Sequence, residues 1–249
     1  GIAFGLYYCG AMLVLLRYMA SGRSSLHFRI VSLQWRLFAD ILQVGLPTAA
    51  NAVLVNLTVI LVTSVVGRFG TSELAAYGIA SRLDYIMIPI LFGLCTATLT
   101  MVGINIGAGH GARARTIAWV SALTGSAFIG TIGCIVALHP PLWLSLFSNE
   151  PGVLREGATY LRIVAPAYIA LGFGFVLAFA GQGAGHTLWP FVASVLRILV
   201  AAGGGWFAVS HLHGGMAMLA SMVTLSLIGY VAICSIVLWS RSIWRLPPR

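Results

Sequence analysis

The chain has 249 residues, of which 59% are hydrophobic and 8% charged, and its mean hydropathy is +0.98. A soluble domain carries roughly 25% charged residues, so the composition excludes an ordinary soluble protein and indicates a chain that lies in a membrane. The net charge of +9 comes entirely from arginine, because the chain has no lysine.

The apolar segments predict an all-α, polytopic transmembrane helix bundle, because about 20 apolar residues cross a bilayer as a helix. Segment 2–16 is too short for a full span. We interpret 1–37 as the end of a truncated transmembrane helix followed by a basic cytoplasmic linker, and 38–249 as a unit of six full spans. The predicted spans are 38–66, 73–106, 117–138, 160–180, 188–209 and 216–239.

The polar segment 147–160 interrupts this series. It predicts a loop or a surface helix outside the membrane, with Ser148 or Asn149 as the helix cap. The tetrapeptide Gly-Ala-Gly-His occurs at 107–110 and again at 183–186, each time at the end of a span. We interpret both copies as helix C-caps with tight turns, because glycine tolerates left-handed backbone conformations.

The arginines indicate orientation. If the spans alternate, nine arginines fall on one side: four between 17 and 36, two at 113 and 115, and three between 241 and 249. By the positive-inside rule that side is cytoplasmic, and it includes the C-terminus. We therefore interpret the arginines as topology signals in contact with the lipid bilayer and not as a nucleic-acid-binding surface.

Several short motifs carry a resemblance to a known family. Residues 44–83, followed by 103–115, resemble the repeat unit of multidrug and toxic compound extrusion (MATE) transporters, and residues 180–190 resemble a later turn of that family, with His186 in place of an acid. The matching elements are Leu46-Pro47, Phe69-Gly70, Leu74-Ala75-Ala76 and Gly107-Ala108-Gly109 with the arginines that follow.

The resemblance implies one lobe, the C-terminal one, of a two-lobe transporter whose N-terminal lobe is missing from this sequence. It implies a protein of the bacterial inner membrane that exports bulky, often cationic organic compounds by alternating access. The coupling ion would be H+ or Na+, without a further cofactor. Many members carry a glutamate in the seventh helix, near Val55 here, and this chain has valine there followed by Asn56.

Asp84 is the leading candidate for the coupling or substrate-binding group, because it is the acid deepest in an apolar segment and a charge there is costly unless it is paired or hydrated. Arg82 lies about 200° away around a helix and does not face it. Arg197, in a later span, is the better partner on depth. Pro89 frees the backbone carbonyl of Tyr85 for a water or a cation.

Asn51 and Asn56 lie in the first full span. They could bond between helices or line a polar path. Two rival functions stay open at this point. A flippase for lipid-linked precursors would use Arg82 and Arg197 to attract phosphate. A membrane enzyme or scaffold would need clustered catalytic side chains, and we find no such cluster in the sequence, so we expect a protein that is not an enzyme.

Overall fold

A computed structural model of the chain describes residues 2–21, 34–212 and 214–244. These residues form ten α-helices and no strand. The helices are α1 Ile2–Ala20, α2 Trp35–Val66, α3 Thr71–Gly107, α4 Gly111–Leu138, α5 Pro141–Leu144, α6 Pro151–Val164, α7 Tyr168–Gly183, α8 Leu188–Ile198, α9 Gly205–Leu212 and α10 Met216–Trp239.

Among the described residues, six stretches of helix are long and apolar enough to cross a membrane, which confirms the predicted bundle of six spans. Two of them are built from more than one helix. A 3₁₀ turn, Ala165–Ala167, joins α6 to α7, and a π-helical segment, Leu199–Gly204, joins α8 to α9. The spans are Ile41–Val66, Thr71–Gly107, Gly111–Leu138, Pro151–Gly183, Leu188–Leu212 and Met216–Trp239.

The polar segment 147–160 differs from the prediction of a loop or a surface helix, because its residues from Pro151 onward form the first part of the fourth span, Pro151–Gly183. Helix α6 begins at Pro151, and Glu150 rather than Ser148 or Asn149 is its N-cap residue, without a side-chain capping bond. The Ser148 hydroxyl accepts a hydrogen bond from the Glu150 amide at 3.2 Å instead. Proline at the first helical position fixes φ for the helix and lacks the amide hydrogen that would otherwise be unsatisfied, so the helix can begin there.

The chain divides into two compact units, residues 1–41 and 42–249. The first contains α1, whose described side chains are mostly exposed. The second contains the core, which is formed mainly by α3, α4, α6, α7 and α10. Its largest fully buried side chains include Tyr168, Leu83 and Ile129.

Helices α4 and α7 approach most closely through small residues. At Gly172 of α7, an added Cβ would lie 2.7 Å from the carbonyl oxygen of Gly125 in α4. The Ser126 hydroxyl donates a hydrogen bond to the Ile169 carbonyl at 2.8 Å across the same contact. Small residues and interhelical hydrogen bonds hold helices together in membranes, where burial of apolar side chains gives little net driving force.

The two Gly-Ala-Gly-His turns have the same backbone structure, which confirms the predicted helix caps. Gly109 and Gly185 have φ of 78° and 82°. The following histidine amides donate to Asn105 and Gly181 carbonyls, both at 2.8 Å. Gly183 also packs against the backbone of Leu99, so α3 and α7 end on the same side of the lobe.

Candidate functional site

Asp84 lies on α3 at the border between the packed core and an exposed face. Its neighbours Leu83 and Met87 are 2% and 6% exposed, whereas Tyr85 is 65% exposed. Asp84 itself is half-buried. It lies thirteen residues from the start of α3, or about 20 Å along the helix at 1.5 Å per residue. The carboxylate is therefore held well inside the span, next to a face that the core does not cover.

Tyr168 of α7 is the direct partner of Asp84. Its side chain is 2% exposed, and its hydroxyl donates a hydrogen bond to the Asp84 carboxylate. One carboxylate oxygen, Oδ1, is buried and has no hydrogen-bond partner among the described residues. A buried polar atom without a partner is costly, so this oxygen has the capacity to accept a proton or a cation.

Three further tyrosines lie in the core, and two of them, Tyr77 and Tyr160, interact with this pair. Tyr77 of α3 and Tyr160 of α6 form an edge-to-face ring contact with centroids 5.4 Å apart, and both interact electrostatically with Asp84. Tyr77 also hydrogen-bonds Thr63 of α2. Tyr230 of α10 pairs with the Cys234 side chain one turn away. Helices α2, α3, α6 and α7 thus all contribute polar side chains near Asp84.

Arg197 acts on this cluster at a distance. It interacts electrostatically with Asp84, Tyr77 and Tyr160. However, no described arginine nitrogen lies within 4.0 Å of an acidic oxygen. The predicted partnership of Arg197 with Asp84 is therefore not a direct ion pair, because the close contact of the carboxylate is with the Tyr168 hydroxyl.

Arg82 is exposed and points away from Asp84, as its position on the helix predicted. Its guanidinium carbon lies 5.0 Å from the centroid of the Phe147 ring, beyond the end of α5. A cation over an aromatic face is stabilised by the ring quadrupole. Arg82 therefore anchors α3 to the α5–α6 connection and is not brought together with the other candidates.

Pro89 lies inside α3, five residues after Asp84. Proline has no amide hydrogen, so the Tyr85 carbonyl lacks its normal helical donor. The Tyr85 side chain is exposed and does not join the buried tyrosines. Of Tyr85, only the backbone carbonyl remains a candidate for the site.

The two asparagines of α2 behave differently from each other. The exposed Asn56 donates from Nδ2 to the Ala52 carbonyl of its own helix at 2.9 Å, so it does not bond between helices as we had considered. Asn51 is half-buried, and its Oδ1 is a buried acceptor without a partner among the described residues. Asn51 therefore retains the capacity to line a polar path, whereas the Asn56 side-chain amide bonds to the backbone of its own helix.

Sequence reasoning missed the tyrosines Tyr77, Tyr160, Tyr168 and Tyr230. A signal was available, because each is a polar side chain inside an apolar span, and a buried tyrosine hydroxyl usually has a partner. What the sequence lacked was any indication of which of the eight tyrosines meet Asp84. That depends on how the helices pack.

Comparison with known proteins gives a consistent result. The MatE family model matches residues 47–207. Probable multidrug resistance protein YoeA of Bacillus subtilis is 26% identical over 205 residues, covering 80% of this chain and 44% of YoeA. A FAD transporter of Shewanella oneidensis is 22% identical over 188 residues, covering 76% of this chain and 41% of that protein.

The fold is similar to that of a MATE protein solved in complex with MaL6. The TM-score is 0.82 at 16% identity, over 91% of this chain and 52% of that one. The chain thus spans about half the length of the relatives that it matches. The family model covers more than half of the chain, and the six spans match one lobe of a MATE protein. The chain is therefore an integral membrane protein that belongs to the MatE family of transporters, which are not enzymes.

Proposed function

We propose that this chain forms the C-terminal lobe of a cation-coupled antiporter that exports bulky, often cationic organic compounds across the inner membrane of a bacterium. The observation that carries the proposal is the Asp84 carboxylate. It is held inside a span by Tyr168, with one oxygen buried and unpaired among the described residues. An ionisable group in such a position is a functional candidate by default.

The proposal includes a second, N-terminal lobe as partner. Support comes from the exposed face of α3 beside Asp84, which includes Tyr85, Ile86 and Ile90 at 65%, 48% and 49% exposure. Secondary transporters place their binding sites between two such repeats, near the middle of the membrane. One lobe supplies one wall of a cavity of this kind, so we expect that the chain does not transport by itself.

The chemistry at Asp84 is competition for one carboxylate. A proton, a Na+ ion or the ammonium group of a cationic substrate could each pair with the buried oxygen Oδ1. The single carboxylate neutralises only one positive charge at a time. The buried Tyr168 hydroxyl lies next to the carboxylate as a hydrogen-bond donor. Binding of the coupling ion therefore displaces the substrate, and this exchange links the ion gradient to export.

Orientation and the coupling ion are part of the same proposal. The arginine distribution supports a cytoplasmic C-terminus. Either H+ or Na+ fits a single carboxylate with a nearby tyrosine hydroxyl and the unpaired Tyr85 carbonyl. Measuring export after collapse of the proton gradient alone, and then of the sodium gradient alone, distinguishes the two ions.

The test is efflux of a cationic dye from cells that express this chain joined to a complementary N-terminal lobe. We expect Asp84→Asn to abolish gradient-driven efflux, because an amide cannot exchange a proton or hold a cation by charge. Glu150→Gln is the matched control, because it removes one carboxylate at an exposed position before α6 and keeps an oxygen acceptor for the Ser72 hydroxyl. Normal gradient-driven efflux by the Asp84→Asn protein would remove this residue from the mechanism.

A second candidate function is the movement of an anionic substrate, such as a lipid-linked phosphate. One observation favours it: Arg197 has no direct acidic partner among the described residues. One relative is named a FAD transporter. This function predicts that Arg197→Gln abolishes transport while Asp84→Asn leaves it active, which is the opposite of the result expected for export of cations.

A further inference from the structure

A second cavity lies away from Asp84, between the first half of α4 and the end of α10. Its volume is about 910 Å³. We call it the tryptophan cleft, after Trp119, Trp239 and Trp244, which form its walls together with Arg115. Nothing in the proposed transport cycle uses it.

The cleft is closed at one end by the turn Arg241–Trp244. Trp244 is 4% exposed, and its Nε1 donates to the Leu238 carbonyl at 2.9 Å. The backbone carbonyl of Trp244 lies so close to Gly111 that a Cβ at Gly111 would overlap it. The turn is thus packed against the start of α4, and it forms a fixed wall of the cleft.

Arg115 supplies a positive charge that the described part of the protein does not neutralise. Its guanidinium carbon lies 5.3 Å from the centroid of the Trp239 ring, which holds it at the cleft. No described acidic oxygen lies within 4.0 Å of it. Helix α4 begins beside it, and His110, its N-cap residue, makes no side-chain capping bond. The amides of the first helical turn add partial positive charge, so the end of the cleft at Arg115 suits an anion.

The opposite end of the cleft is apolar. Its lining continues to Val120 and Leu123, which are 58% and 60% exposed. From Gly111 to Leu123 the cleft extends about 18 Å along α4. Tryptophan concentrates at the boundary between headgroups and acyl chains, and Trp119 packs edge-to-face on Trp239 at 5.5 Å between the two ends. A soluble anion would fill the basic end and leave the apolar end open.

From this arrangement we infer that the tryptophan cleft binds a phospholipid with an anionic headgroup. The phosphate lies at Arg115 and the start of α4, and an acyl chain follows Val120 and Leu123. Arginine suits a phosphate because its planar group donates two parallel hydrogen bonds. None of the residues that line the cleft belongs to the Asp84 site.

The experiment measures quenching of tryptophan fluorescence by brominated lipids. The full chain is placed in phosphatidylcholine vesicles that contain a fixed fraction of phosphatidylglycerol, with bromine on the acyl chains of one lipid or the other. We expect brominated phosphatidylglycerol to quench more strongly at equal mole fraction. Trp119→Phe should reduce the difference without removing it, because Trp119 is one of the three tryptophans that line the cleft.

Two arginines provide the matched comparison. Arg115 lines the cleft, whereas Arg113, in the same first turn, is exposed and does not. Arg115→Gln should lower the preference for phosphatidylglycerol by roughly fivefold, the loss expected for one interfacial arginine, and Arg113→Gln should change it little. Thr116→Phe, which narrows the cleft between its basic and apolar ends without changing the charge, should also lower the preference.

Three results would overturn the inference. Equal losses for the Arg113 and Arg115 variants would show general attraction of anionic lipid to a basic surface. Full displacement of the lipid by inorganic phosphate would show an anion site without a lipid. Unchanged preference in the Thr116→Phe protein would show that the lipid lies elsewhere. Arg115→Lys guards against misfolding, since it keeps the charge and should retain part of the preference.

Discussion

The close contact between α4 and α7 should depend on the absence of a side chain at Gly172. In Gly172→Ala, the new methyl group would lie 2.7 Å from the Gly125 carbonyl oxygen, 3.0 Å from its carbonyl carbon and 3.1 Å from Ser126 Cα. All three are backbone atoms, so no rotamer change relieves the overlap. The helices must separate until the contact approaches the ordinary 3.4 Å.

The expected cost follows from three contributions. Overpacking of a tight interface costs about 1–3 kcal/mol, and stretching the Ser126–Ile169 hydrogen bond, now 2.8 Å long, costs about 0.6 kcal/mol more. The higher helix propensity of alanine offsets about 1 kcal/mol of this loss in the free energy of unfolding. The net loss in the free energy of unfolding is therefore about 0.6–2.6 kcal/mol.

Unfolding in detergent micelles with rising mole fraction of sodium dodecyl sulfate measures this loss, with helix content followed by circular dichroism. Gly93→Ala is the matched control, because this glycine of α3 is exposed and nothing lies within 4 Å of an added Cβ. It should be neutral or stabilising. A Gly172→Ala protein as stable as the control would refute the reasoning, since it would show that α4 and α7 are not packed backbone to backbone.

Two further predictions use the same unfolding assay. Trp143→Phe removes the indole hydrogen bond to the Ile79 carbonyl, 3.0 Å long, and should lower the free energy of unfolding by about 1 kcal/mol. Trp189→Phe, at an exposed position, should cost less. Equal losses in the two variants would argue against the Trp143 hydrogen bond. Gly109→Ala forces alanine to φ of 78° and should lower the free energy of unfolding by about 1–2 kcal/mol. Gly107→Ala should not lower it, because nothing lies within 4 Å of a Cβ added at this position. A Gly109→Ala protein of unchanged stability would mean that the turn tolerates another conformation.

Much of the fold could be predicted from the sequence because the relevant signals are local. The length and hydropathy of each segment predicted the six spans, since a bilayer accepts only helices long enough to cross it. The Gly-Ala-Gly-His turns were predicted from the requirement for positive φ after a helix. The separation of Arg82 from Asp84 followed from helix geometry alone.

The candidate site was only partly predictable. Asp84 stood out as an acid in an apolar span, but its contact with Tyr168 joins positions 84 residues apart on different helices. Asn56 looked equal to Asn51 in the sequence, and only the structure shows that its amide bonds to its own helix. The π-helical segment Leu199–Gly204 after Arg197 also has no signal that we recognised in the sequence.

The sequence by itself determined that this chain lies in a membrane as six helical spans, and which carboxylate is costly to keep there. These properties depend on each segment's own hydropathy and backbone preferences. Only the tertiary structure decided that Tyr168, and not Arg197, contacts Asp84, and that Arg115 shares a cleft with three tryptophans. Such contacts depend on how closely particular helices approach each other. Small residues such as Gly172 set this distance, because they allow direct backbone contact between segments that are distant in sequence.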